Sequence, residues 1–288
     1  MQKERKQMRR LNSVLLIITL VLSYKGLTAT TANEGKQQTK IVLTSEIEWE
    51  ALNPARGKNS PRAGTLWGDR NGSEATGFLA KFVDGFSSPP HIHNVTYRAV
   101  VISGEIHNDD PSAEKMWMTS GSFWTQPKGE VHITAARGEE NIALVEIDEA
   151  PYLVQHTDDA FDSGERPLNI EASNIVWVTP PGLPHSKSGP KIAYLWGDLE
   201  EGLDNGTFIK LPAGFTGYLH STGSTFRMVT IKGQPEYLGD ETIILSPGSY
   251  LSSSGNTMHP IKSEVDHESV LYVRSNGSYR IIPAGGIE

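Results

Sequence analysis

His91 and His93 stand one residue apart in "PPHIHNVTYRAVVISG" (Pro89–Gly104), and a third histidine, His132, closes "GSFWTQPKGEVH" (Gly121–His132). Neutral imidazole is a good nitrogen donor to metals. Three imidazoles converging in a dry cavity suit one divalent transition metal (Fe, Zn, Mn or Ni), with coordination positions left open for water or substrate. An H-x-H pair alone is a weak signal. H-x-H followed at fixed distance by Gly104, and then by G-x5-P-x-G-x2-H at Gly121, Pro127, Gly129 and His132, is a strong one.

Tyr97 is the candidate catalytic residue. Side chains alternate along a strand, so His91, His93, Val95 and Tyr97 are expected on one face. A phenol ionises near pH 10, so Tyr97 is a poor ligand while neutral. Three roles stand open: a phenolate on ferric iron, a neutral donor to bound water or substrate, or a cavity-lining aromatic. Without a carboxylate, a three-histidine set carries no negative charge. A metal there stays a stronger Lewis acid and tolerates an anionic substrate.

The elements that must position these residues come from an internal repeat. "LWGD" at Leu66–Asp69 recurs at Leu195–Asp198, and the same offset of 129 pairs His91 with His220, Arg98 with Arg227 and Gly104 with Gly233. His132 matches His259 at an offset of 127. The chain therefore divides into a metal-binding module 1 (41–150), a turn-rich, acidic linker (151–170) and a module 2 (171–288) with a degenerate site. In module 2, Thr222 replaces His93, Phe226 replaces Tyr97, and Ser254 and Asn256 replace Pro127 and Gly129. Runs such as "VTYRAVVIS" and "SVLYVR" are rich in β-branched and aromatic residues and are punctuated by turns, so each module reads as an all-β barrel or jelly roll. Trp67 and Trp196 recur in both modules and are expected in core packing. Arg98 and Arg227 fall on the strand face opposite Tyr97 and Phe226, where surface or inter-module contacts are expected.

Composition narrows the function. The chain has 288 residues, 28 glycines, 17 prolines, no cysteine and a net charge of −8. With no basic cluster beyond the N-terminus, nucleic acid is not an expected partner. The N-terminus is tripartite: basic "MQKERKQMRR", a nine-residue apolar run at Val14–Leu22, and small residues in "GLTATTA". That run falls short of the about 20 residues needed to span a bilayer. Residues 1–29 therefore read as a signal peptide, giving a secreted or periplasmic protein with no stable membrane anchor after cleavage.

At its histidine motifs the chain resembles the cupin superfamily. That family's first motif has a glutamate four residues after the second histidine, and Tyr97 occupies this position. The resemblance implies two tandem cupin (RmlC-like jelly-roll) barrels forming a bicupin, with His91, His93 and His132 as the metal ligands. Over nearly the whole mature chain the sequence is also similar to an uncharacterised two-cupin family related to the cupin domain of ChrR anti-sigma factors. Three-histidine cupins include iron oxygenases, isomerases and hydrolases. The resemblance thus implies a dioxygenase-like metalloenzyme acting on a small organic molecule. The alternative is a non-catalytic binding or sensing cupin of the ChrR type. That type carries a cysteine-bearing zinc segment, and the absence of cysteine tilts the balance toward an enzyme. A homodimer stays open.

The tripartite N-terminus yields the first expected outcome. N-terminal sequencing of the exported protein should begin between Ala29 and Lys36. Soluble cytoplasmic protein beginning at Met1 or Gln2 would contradict it.

Overall fold

Strands dominate the computed structural model, which describes residues 39–285. The expected signal peptide lies outside the described residues. Four short 3-10 turns are the helical segments among the described residues. None of these is long and apolar enough to cross a membrane.

Two antiparallel sheets meet back to back. The seven-stranded sheet runs, in spatial order, Leu168–Ile170, Phe123–Gln126, Tyr97–Asp109, Ile133–Ile147, Thr76–Phe82, Arg62–Trp67 and Glu50–Ala51. The six-stranded sheet runs Lys40–Val42, Tyr250–Ser253, Phe226–Lys232, Ser269–Ser275, Asn205–Leu211 and Lys191–Gly197. A five-stranded sheet closes the second barrel. In the first barrel a short ladder of Ile92–His93 with Val154–Gln155 and the ends of the long strands do that work.

Each half also lends a strand to the other. Lys40–Val42 pairs with Tyr250–Ser253 of the second barrel, and Leu168–Ile170 pairs with Phe123–Gln126 of the first. The expected linker 151–170 therefore carries two strands, one closing the first barrel and one extending its sheet. The fold is a bicupin, as the sequence implied.

Alternation explains why the central strands read as unbroken apolar runs. In Tyr97–Asp109, Tyr97, Ala99 and Val101 face the first barrel's interior, whereas Val100 and Ile102 face the second barrel. In Ser269–Ser275, Leu271 and Val273 face the second interior, whereas Val270 and Tyr272 face the first barrel. Both faces are dry, so polar positions vanish from the pattern. Gly104 allows the bulge in the long first-barrel strand. Its φ is +73°, the register slips beside it, and a Cβ there would strike the Asn141 side chain.

The inter-barrel contact is self-complementary. Trp67 stacks on Tyr250 across the contact with ring centres 5.1 Å apart, while within the second barrel the Trp196 indole donates to the Tyr272 hydroxyl at 3.0 Å. Arg98 lies 3.9 Å over Trp196, and Arg227 lies 5.3 Å over Trp67. The recurring tryptophans thus pack at the contact, and the recurring arginines cross it. Repeat-equivalent strands also place Glu146 opposite Arg274. The Glu146 carboxylate accepts from Tyr272 at 2.6 Å and lies 3.9 Å from Arg274, which also binds Asp148 at 3.0 Å. Burial pushes the Glu146 carboxyl up, against the pull of Arg274 and the Tyr272 hydroxyl.

Removing one partner of a buried pair strands the other charge. Arg274→Met is expected to lower unfolding free energy by about 3–5 kcal/mol in denaturant titrations. Adding Glu146→Gln should regain more than half of the loss. An Arg274→Met protein as stable as wild type would show that the pair does not hold the barrels together.

Candidate metal centre

Strand pairing brings the three histidines together. His91 N–H donates to His132 O at 3.1 Å, and His132 N–H donates to His91 O at 3.0 Å. Residues directly opposite in an antiparallel bridge share a face, so the two rings stand side by side with centres 4.3 Å apart. His93 is set by its pairing with Val154 and by Gly129 N–H, which donates to His93 O at 2.9 Å. The φ of +77° at Gly129 makes that turn possible, and a Cβ there would meet the Phe161 carbonyl. One ligand nitrogen from each of the three buried rings lies within 4.8 Å of the others.

The rings are wired as metal ligands are. Nδ1 of His91 donates to Pro89 O at 2.9 Å, that of His93 to Leu153 O at 2.9 Å, and that of His132 to Glu130 O at 3.2 Å. Each bond fixes the tautomer and leaves Nε2 as the lone-pair atom. Nε2 of His132 is buried and has no partner. A buried acceptor without a partner is costly, and a cation at the centre of the group would satisfy it. Burial holds the His91 and His93 pKa values below the ordinary one and lowers that of His132 to about 3, with neighbouring imidazoles adding to the shift at His93 and His132. All three are neutral at pH 7, the form that coordinates. The residues fit a three-nitrogen metal site, and no carboxylate belongs to the cluster among the described residues.

Tyr97 lies beside the triad, with its ring in edge contact with His93 at 5.3 Å. Its hydroxyl donates to Asn108 Oδ1 at 2.9 Å, which also accepts from Thr134 at 2.8 Å. Asn108 donates to Gln126 Oε1 at 2.8 Å, and Gln126 donates to Glu130 O at 3.2 Å, the carbonyl that holds His132. Burial pushes the Tyr97 hydroxyl pKa up, which favours the neutral phenol. The expected single strand from His91 to Tyr97 breaks at 94–96. There the Asn94 side chain bonds Pro151 O at 2.9 Å and accepts from Leu153 N–H at 2.8 Å.

That clamp delivers a residue the motifs did not flag. Tyr152 stacks on His93 with ring centres 4.3 Å apart, and its hydroxyl donates to His93 Nε2 at 3.1 Å. Burial pushes its pKa well above the usual value for tyrosine, so it is a proton-bearing phenol. Nothing in the spacing of the motifs pointed to it.

The triad opens onto a cavity of about 270 Å³ walled by Phe78, Phe82, Phe86, Trp124 and Val145. Among the described residues the second barrel brings no three such ligands together. His220 sits opposite Met258, and His259 sits opposite Leu219. This pairing is one residue out of step with His91 opposite His132, so His220 and His259 point to opposite faces of the sheet. His259 stacks on Phe226 and bonds Ser253 at 3.0 Å, while His220 bonds Asn256. The register thus places the two histidines of the degenerate site on opposite faces of the sheet.

Fold and site together define a bicupin with one buried three-histidine group of the kind that holds a metal. Residues 40–282 match the family described as a domain of unknown function, DUF4437, and the chain belongs to that family. No curated protein matches the sequence. The fold is similar to that of a Nostoc punctiforme protein named as a candidate dioxygenase (TM-score 0.63, 14% identity, 84% of each chain covered). It is also similar to salicylate 1,2-dioxygenase of Pseudoaminobacter salicylatoxidans (TM-score 0.55, 15% identity, 86% of each chain). Hazelnut vicilin, from Corylus avellana, shares the fold as well (TM-score 0.53, 13% identity, 84% of this chain and 87% of that one).

The depressed imidazole pKa values set a pH dependence. Unfolded histidines take up protons near pH 6.5, whereas folded His132 does so only near pH 3. The unfolded state binds more protons between those values, so stability falls as pH drops through that window. For metal-stripped protein, His132 alone should cost about 2 kcal/mol between pH 7.5 and pH 5 in denaturant melts. His132→Gln should flatten that slope. An unchanged slope would mean His132 is not held neutral.

Proposed function

We propose that this protein is an exported metalloenzyme that acts on a small organic molecule at one centre in its first barrel. The observation that carries this reading is the triad. Three neutral, buried imidazoles are each anchored through Nδ1 to a backbone carbonyl and open onto an apolar cavity. Export rests on the N-terminal pattern. A small organic substrate gains support from the neighbouring fold that carries dioxygenase activity on salicylate and has been captured with gentisate.

His91, His93 and His132 would hold a divalent metal, which would supply Lewis acidity to a bound substrate. The protein's own residues do the rest. The carbonyls of Pro89, Leu153 and Glu130 orient the ligand rings. The aromatic walls exclude water and strengthen every polar contact inside. Tyr97 acts through Asn108 and Gln126 on the carbonyl that holds His132, which makes it a positioning residue. A metal on His93 Nε2 would displace the Tyr152 hydroxyl from that lone pair, which would free Tyr152 as the phenolic donor placed to reach a ligand at the centre.

Metal content by mass spectrometry tests this reading. His91→Ala, His93→Ala and His132→Ala should each abolish stoichiometric metal, because two remaining imidazoles leave most faces of the ion to water. His220→Ala and His259→Ala should leave it intact. Tyr152→Phe should keep the metal and lower turnover in a substrate screen read by oxygen uptake. Metal that follows His220 and His259 would overturn the assignment.

A further inference from the structure

We infer that the first-barrel cavity takes a compact organic acid, with its carboxylate on Arg56 and its apolar body against the aromatic walls. This inference rests on reading the cavity as the substrate chamber. The protein is acidic, with 34 Asp and Glu, yet none of them lines this cavity among the described residues. Arg56 is the single residue with a permanently charged side chain that does. It is exposed, whereas His93 and Trp124 are buried, so it stands at the mouth and they form the floor.

Arg56 is held in place but not neutralised. Its Nη2 donates to Ser87 O at 3.2 Å, and its guanidinium lies 4.9 Å over the Phe86 ring. Both contacts attach it to the segment that leads into His91. Among the described residues no carboxylate pairs with it, whereas Arg70 is paired with Glu50 at 2.6 Å. The Ser87 contact uses one Nη2 proton, so one two-donor edge of the guanidinium, made of the other Nη2 proton with Nε or Nη1, is left for a carboxylate. Asn53, on the same 3-10 turn, lines the cavity too and adds an amide donor.

The walls set the rest of the ligand. Phe78, Phe82, Phe86, Trp124 and Val145 offer nothing to a second charge, and an unpaired charge among them would be costly. The cavity volume, about 270 Å³, gives room for at least one ring with a short substituent. The ligand is therefore an organic acid with one carboxylate at the mouth and a compact apolar body.

Titration calorimetry with benzoate and its neutral isostere benzamide tests this on the full chain, both metal-loaded and metal-stripped, with metal content measured in the same samples. Wild type should prefer benzoate by roughly tenfold or more in both forms. Arg56→Gln should erase that preference and leave benzamide affinity unchanged, and Arg56→Lys should restore part of it. Equal binding of the two probes, a preference that survives Arg56→Gln, or no binding of either probe overturns the proposal. A preference confined to metal-loaded protein and indifferent to Arg56 would put the carboxylate on the metal instead. Because Arg56 is exposed and the metal is assayed separately, loss of the Arg56 effect with metal retained defeats this inference alone. Absence of metal defeats the triad reading and leaves the Arg56 effect to be judged on the stripped protein.

Discussion

The pair of backbone hydrogen bonds between His91 and His132 is the constraint on which the rest depends. It fixes which residues lie opposite each other where two segments of the first barrel meet, and hence which side chains share a face. Because side chains alternate, a slip of one residue would turn one imidazole outward and leave the other without a partner. The second barrel shows that outcome in the same molecule, where His220 pairs with Met258. Two histidines at repeat-equivalent positions thus have different chemistry because their register differs, not only because neighbouring ligands were replaced.

The second barrel has a different task. Its sheet packs against the first through Tyr250, Tyr272 and Phe208, and it receives Lys40–Val42 as an edge strand. In return Leu168–Ile170 covers the edge of the first sheet. Exposed edges invite pairing with other chains, and this mutual exchange covers one edge of each large sheet. The strands that carry Tyr97 and Glu146 are therefore held from both sides, which keeps the triad's surroundings rigid. Ligand geometry at a metal tolerates little displacement, so rigidity here serves the site.

Much of this was legible in the sequence. The repeat at an offset of 129 marked two barrels, and the motif spacing picked out His91, His93 and His132. Those signals are local, because turn glycines and alternation act within a few residues. Tyr152 was hidden for the opposite reason. It reaches His93 through a clamp between Asn94 and the segment 151–153, and no spacing rule encodes a contact of 59 residues. The exchange of strands between the halves was hidden too, since short edge strands carry little pattern of their own. The role of Tyr97 could not be read from its position either. The motif put it beside the metal ligands, but only the structure gives its hydroxyl to Asn108.

The central claim is that a single metal sits on three imidazole nitrogens in the first barrel. Anomalous diffraction from crystals of the purified protein, collected at the absorption edge of whichever metal it carries, tests this most directly. The account predicts one peak per chain, about 2.0–2.2 Å from Nε2 of His91, His93 and His132, with none in the second barrel. A peak between His220 and His259, or a first barrel without density in metal-replete crystals, would contradict it.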